Sequence, residues 1–265
     1  MNGFTRSANG IQGLIRARQR RFTPLCNRGQ EAQLVAEVKP TYHPVDQSGQ
    51  RVHRHADGTQ HVHGVGDSDV RGIYVTQLAF THAGPWGVEL LARDGNSSVE
   101  PARSTVAVSD SAATPALGSP APRSRNLVAR DVKDLRQIDT SQRPDIRLHQ
   151  TRIVDAITQG KPQLIVFATP QFYTSRMCGP VVEIVKTLLP AYGKKVAFTH
   201  QEIWQDFALK QPFPTVIEWQ LRSEPWIFLV DRQGVVRAKF EGLVTARELE
   251  AALRQMLEAG LNRRE

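Results

Sequence analysis

A chain of 265 residues, 40% apolar and 23% charged, has the composition of a folded protein of one large or two ordinary domains. Its net charge of +8 is concentrated at one end, where residues 1–30 hold Arg6, Arg16, Arg18, Arg20, Arg21 and Arg28 and no acid. That argues against a nucleic-acid module, which spreads basic residues over a folded face and interleaves aromatics, and no apolar run approaches the ~20 residues of a membrane helix. Residues 1–30 are expected to be a solvated basic tail. In "GIQGLIRARQRRF" the arginines follow a short apolar run, the reverse of the order in an export signal, so no signal peptide is visible. Two cysteines, Cys26 and Cys178, make no disulfide framework.

Residues 31–108 are expected to form a β module. In "GIYVTQLAFTHAGPWGVELLA", Tyr74, Leu78 and Phe80 alternate along one strand and Trp86, Val88 and Leu90 along the next. Ala83-Gly84-Pro85 supplies turn chemistry between them. "RSTVAV" reads as a closing strand. The pattern resembles the last hairpin and final strand of an immunoglobulin-like sandwich, with Trp86 in its core.

Residues 109–130 begin with "SDSAATPALGSPAPRS", rich in Ala, Pro, Ser and Gly, and predict an extended interdomain linker. From 131 to 265 the texture changes to alternating helix and strand. "TRIVDAITQGK" predicts a short helix capped by Thr151 and stopped at Gly160. "QLIVFAT" has the continuous apolar run of a buried strand. "GPVVEIVKTLLPAYG" puts Val181, Ile184, Val185 and Leu188 at helical spacing, and "KKVAFTH" is a second strand. "PWIFLVD", the turn "DRQG" and "VVRAKFEG" predict a hairpin. The closing helix, "TARELEAALRQMLEAG", opens with a Thr245–Glu248 capping box. This order gives a small α/β domain with a mixed sheet.

The order of elements, with "CGP" after the first long strand, resembles the thioredoxin fold over residues 150–260. The motifs are "LIVFATP" into "CGPVVEIV", then "SEPWIFLVDRQGVVRAKFEG". The resemblance implies a cis bond before Pro225 and places Pro225 opposite the active-site sulfur. More narrowly, the chain is similar to bacterial thioredoxin-like proteins that carry an N-terminal immunoglobulin-like module and a Pro-rich linker. It implies an extracytoplasmic location. Two positions depart from the family's dithiol patterns. Val181 stands where the adjacent second cysteine would be, and Tyr173 stands near the position of the wider-spaced one.

These departures decide the chemistry. A thiolate is the attacking species, and the N–H groups and dipole at a helix start favour it. Cys178 begins a helix, with Gly179 and Pro180 in its first turn and Arg176 nearby. Without a resolving thiol, the accessible chemistry is a mixed disulfide with a protein thiol or a low-molecular-weight thiol partner, or a sulfenic acid. The site set is Cys178, Gly179, Pro180 and Pro225, with no cofactor. A second reading is a redox-inactive binding protein whose groove docks an extended peptide. A third uses metal, since "HRHADGTQHVHG" presents His53, His55, His61 and His63 as two pairs about a turn and imidazole suits copper, zinc or nickel. Cys178 with His200 is a further possible copper pair. The oligomeric state is not legible.

Overall fold

The structure, a computed structural model, describes residues 5–6, 11–19, 33–44, 51–54, 60–63, 72–94, 96–171 and 177–261. The chain divides into two units, Met1–Ser111 and Ala112–Glu265. Among the described residues no helix is long and apolar enough to cross a membrane.

Among the described residues of the first unit, nine strands follow in chain order: β1 (Thr5–Arg6), β2 (Ile11–Gln19), β3 (Gln33–Val38), β4 (Thr41–Pro44), β5 (Arg51–Arg54), β6 (Gln60–His63), β7 (Gly72–Val75), β8 (Gly84–Asp94) and β9 (Ser97–Val108). The main sheet has the order β1-β2-β8-β9, with β3 also on β2. This corrects the basic tail: Ile11–Gln19 is an interior strand, paired with β8 along its whole length from Ile11↔Asp94 to Gln19↔Trp86. The arginines at 16 and 18 alternate with Ile15 and Ala17, a period of two that fits a strand with one polar face.

The hairpin is also displaced. Residues 72–75 pair with β4, not with β8, and β8 turns back into β9 through the residues between Asp94 and Ser97. The stronger turn signal is therefore "DGNS". Trp86 is fully buried. Its indole N–H donates to the His82 carbonyl at 3.1 Å, and the Phe80 ring meets it edge-on at 5.1 Å between centroids.

The second unit is built on strands β10 (Gln163–Phe167), β11 (Ala197–Gln201), β14 (Trp226–Val230) and β15 (Val236–Glu241), with the short pair β12 (Trp204–Asp206) and β13 (Gln211–Pro212) beside them. Its helices are α1 (Ile153–Thr158), α2 (Cys178–Tyr192), α3 (Pro214–Glu218) and α4 (Ala246–Leu261). The sheet order is β11-β10-β14-β15. β10 runs parallel to β11 and antiparallel to β14, and β14–β15 is an antiparallel hairpin.

Every residue of β10 is buried, because both faces of the sheet are covered. Leu164 and Val166 pack with α2 and α4 through Val185, Leu188, Leu249 and Leu253. Ile165 and Phe167 face the other way, onto Trp219, Phe213, Ile153 and Phe228. Thr245 and Glu248 start α4 with reciprocal bonds: the Thr245 N–H donates to Glu248 at 3.0 Å, and the Glu248 N–H donates to the Thr245 hydroxyl at 3.2 Å.

The stretch expected as a linker belongs largely to this unit. The Gly118 N–H donates to Val236 at 2.8 Å, Ala121 to Gly234 at 2.8 Å, and Val236 back to Ser119 at 3.0 Å. Residues 118–121 thus pair with the otherwise open edge at β15. Farther along, Ser124, Asn126 and Val128 are buried. Asn126 replaces Thr151 as the cap of α1: its side-chain oxygen accepts the Ile153 N–H at 2.8 Å, and the Ser124 carbonyl accepts the Val154 N–H at 3.0 Å. A segment with few large apolar residues carries no periodicity, so docking that relies on its backbone and short side chains leaves little trace in a hydrophobic pattern.

Candidate functional site

Cys178 is the first residue of α2, with Met177 as N-cap and the Val181 N–H closing the first turn onto the Met177 carbonyl at 3.0 Å. Gly179 and Pro180 follow on that turn, where a proline's missing N–H costs nothing. A Cβ built on Gly179 would lie 3.9 Å from the Pro170 carbonyl. The turn thus sits against the end of the chain leaving β10.

The same end meets the loop before β14. The Thr169 N–H donates to the Glu224 carboxylate at 2.8 Å. The Glu224–Pro225 bond is cis, Pro225 is buried, and its carbonyl accepts the Gly242 N–H at 2.9 Å. Gly242 lies close to Met177, whose sulfur would be 3.7 Å from an added Cβ. Cys178, Gly179 and Glu224, the residue before Pro225, thus each meet the segment 168–170.

Cys178 is fully buried, in the apolar cluster of Leu148, Ala168, Val181 and Val182. Val181 is also fully buried. Cys26, His55, Tyr173 and Arg176 lie outside the described residues.

A groove of about 390 Å³ opens beside Glu224, lined by Ile203, Trp204, Val216, Leu221, Arg222 and Ser223 among others. The indole N–H of Trp204 is buried there without a hydrogen-bond partner.

Of the N-terminal histidines, the strand register pairs His53 with His61 and Arg51 with His63. His53 and His61 are thus directly opposite each other in the register.

His200, the other half of the expected copper pair, stands on β11. It joins Asp139 and His149 in a fully buried group whose ligand-type atoms all lie within 4.8 Å of one another. His149 Nε2 is 3.1 Å from Asp139 Oδ2, and His200 Nδ1 is 3.5 Å from Asp139 Oδ1. The His200 Nε2 side lies 3.0 Å from the Ala168 carbonyl. Asp139 is also held by the Ser141 N–H at 2.9 Å, by the Ser141 hydroxyl, and by the Asp145 N–H at 3.2 Å. Glu202, two residues beyond His200, accepts the Thr140 N–H at 2.5 Å.

The electrostatics follow from burial against pairing. Burial alone would raise the Asp139 carboxyl, but the hydrogen bond from His149, the adjacent His200 ring with its charge and the bonds from Ser141 hold it far below the usual carboxylate range. Burial pushes His149 down despite its bond to Asp139. Burial also opposes charge on His200, yet Asp139, Glu202 and the Ala168 carbonyl lift it above its ordinary value. Glu202 is raised, chiefly by its own burial.

Sequence reasoning misses this group because its members come from three separate segments. One local signal exists: His200 and Glu202 sit in "VAFTHQE", where an apolar strand ends in two polar side chains. Comparisons with protein-family models and with curated protein sequences find no match.

Proposed function

We propose that the second unit is a thioredoxin-like domain acting by thiol exchange at one sulfur, Cys178. The observation that carries this reading is the place of Cys178 as first residue of the fifteen-residue helix α2. There the helix N–H groups without intrahelical acceptors and the positive dipole end favour a developing thiolate. The Thr169–Glu224 bond, which ties the end of β10 to the Pro225 loop, supports a preformed surface beside that sulfur.

The Cys178 thiolate attacks one sulfur of a disulfide, a Cys178–S–S–R bond forms, and the other half leaves as a thiolate that takes up the proton Cys178 gave to solvent. Val181 cannot resolve that intermediate, so a second, external thiol must release it.

The complete burial of Cys178 favours a second reading, a redox-inactive domain that docks an extended peptide. In that reading the groove lined by Trp204 and Arg222 is the contact surface.

The two are separated with full-length Cys26→Ser protein incubated natively with glutathione disulfide and read by intact mass. One glutathione per chain, absent in Cys26→Ser/Cys178→Ser, is the expected result. Modification that appears only in denaturant rejects the exchange reading and leaves the binding domain.

A further inference from the structure

We propose that Asp139, His149 and His200 form a closed binding site for a divalent transition ion, zinc by preference, that fastens the 139–149 segment to β11. This inference does not depend on the chemistry of Cys178.

Distances come first. A tetrahedral zinc holds nitrogen and oxygen donors at 2.0–2.2 Å, which sets neighbouring donors about 3.3 Å apart. The two approaches to Asp139 are 3.1 Å from His149 Nε2 and 3.5 Å from His200 Nδ1. Each lies within a few tenths of that edge, and because they reach different oxygens, Oδ2 and Oδ1, a single ion would take the carboxylate through both.

The state of the nitrogens is the second argument. His200 Nδ1 is buried with no hydrogen-bond partner, although an aspartate sits beside it. A charge-assisted bond in such a buried pair would be about 2.7–2.9 Å long. At 3.5 Å the pair is longer than such a bond, and a cation between nitrogen and carboxylate would satisfy both in place of a proton.

Two of the three ligands, His200 and Asp139, are held by bonds of the kind that orient metal ligands. His200 presents its other nitrogen to the Ala168 carbonyl, which fixes the tautomer that leaves Nδ1 open. The Asp139 carboxylate is aimed by Ser141 and Asp145. His149 would exchange the proton on Nε2 for the ion.

The donor set selects the ion. Two imidazoles and a carboxylate, with no thiolate in the group, suit Zn(II), Co(II) or Ni(II) better than Cu(I) or the hard cations. Glu202, buried two residues away, supplies further negative charge near His200. Full burial of the three ligands is the condition of a structural site loaded during folding.

The test uses full-length chain carrying His61→Ala and His63→Ala, so that the N-terminal histidines do not compete. It is refolded with chelator, exposed to Co(II) or Zn(II), and desalted. The expected outcome is about one retained ion per chain, the visible absorption of tetrahedral cobalt, and a higher unfolding temperature with zinc. His149→Gln should bind at least tenfold more weakly. Refolded chain that retains no ion overturns the proposal, and so does an unchanged cobalt spectrum in folded His149→Gln. Should His149→Gln not fold, X-ray absorption on the zinc-loaded parent decides. Two imidazoles with oxygen and no sulfur support the site, and a sulfur-containing or imidazole-only shell rejects it.

Discussion

Asp139 carries more of the second unit's polar architecture than any other single side chain described. It takes hydrogen bonds from Ser141, Asp145 and His149 and lies beside His200, all without solvent contact of its own. Removing one partner of a buried charged pair strands the other, at a cost of about 3–5 kcal/mol. Asp139→Asn should lose stability on that scale in urea unfolding with chelator present.

In the metal-free protein the three buried groups make stability depend on pH in opposite senses. Asp139 is depressed, so its contribution is present above ~4 and is lost as pH falls below that value. His149 is also depressed, so stability is lost as pH falls through ~6.5, where the unfolded histidine takes up a proton. His200 is raised, so its contribution is present below ~6.5 and is lost as pH rises through its folded value. Unfolding free energy against pH should therefore decline on both sides of a maximum, and Asp139→Asn should weaken the alkaline decline, which comes from His200, while the acid decline from the buried His149 persists. A variant curve parallel to the wild type would contradict this account. Cys178 and Pro225 are legible in the sequence because each lies in a short motif. Asp139 and His149 are not, because a buried network assembled from distant segments has no local signature.

At the scale of elements, the sequence is most readable where one periodicity runs uninterrupted, as in β10, α2 and α4. It is least readable where polar chemistry does the docking. The segment before Val128 has the composition of a linker, yet it covers the edge at β15 and caps α1 through Asn126. In the first unit the arginine count obscures the alternation of β2.

These docking contacts make a prediction about cleavage. Residues 109–113 are exposed, whereas Ala121, Ser124, Asn126 and Val128 are buried. Limited proteolysis of the wild-type chain should cut within 109–113 and spare 118–128. Asn126→Ala removes the acceptor of the Ile153 N–H and should cost about 1 kcal/mol. It should also admit cleavage within 118–128. Cutting there in the wild type, at the same rate as within 109–113, would show that the segment is a linker after all.

For the whole molecule, the proposal is a domain with the place of a redox site and one of its two sulfurs. The parallel pair β10–β11 and the antiparallel hairpin β14–β15 form one sheet, and α2 starts at Cys178. On that helix Val181 lies three residues on, over the same turn and in the same buried cluster. If this is a thioredoxin-like scaffold that has lost its resolving thiol, one substitution should return the lost step. The decisive measurement is insulin reduction by full-length Cys26→Ser protein, with and without Val181→Cys, dithiothreitol being the reductant. The account predicts no turnover above the dithiothreitol background without the substitution and clear turnover with it. Two results would contradict it: turnover already present in the Cys26→Ser protein, or a folded Val181→Cys variant whose introduced thiol forms a disulfide with Cys178 and which still does not reduce insulin.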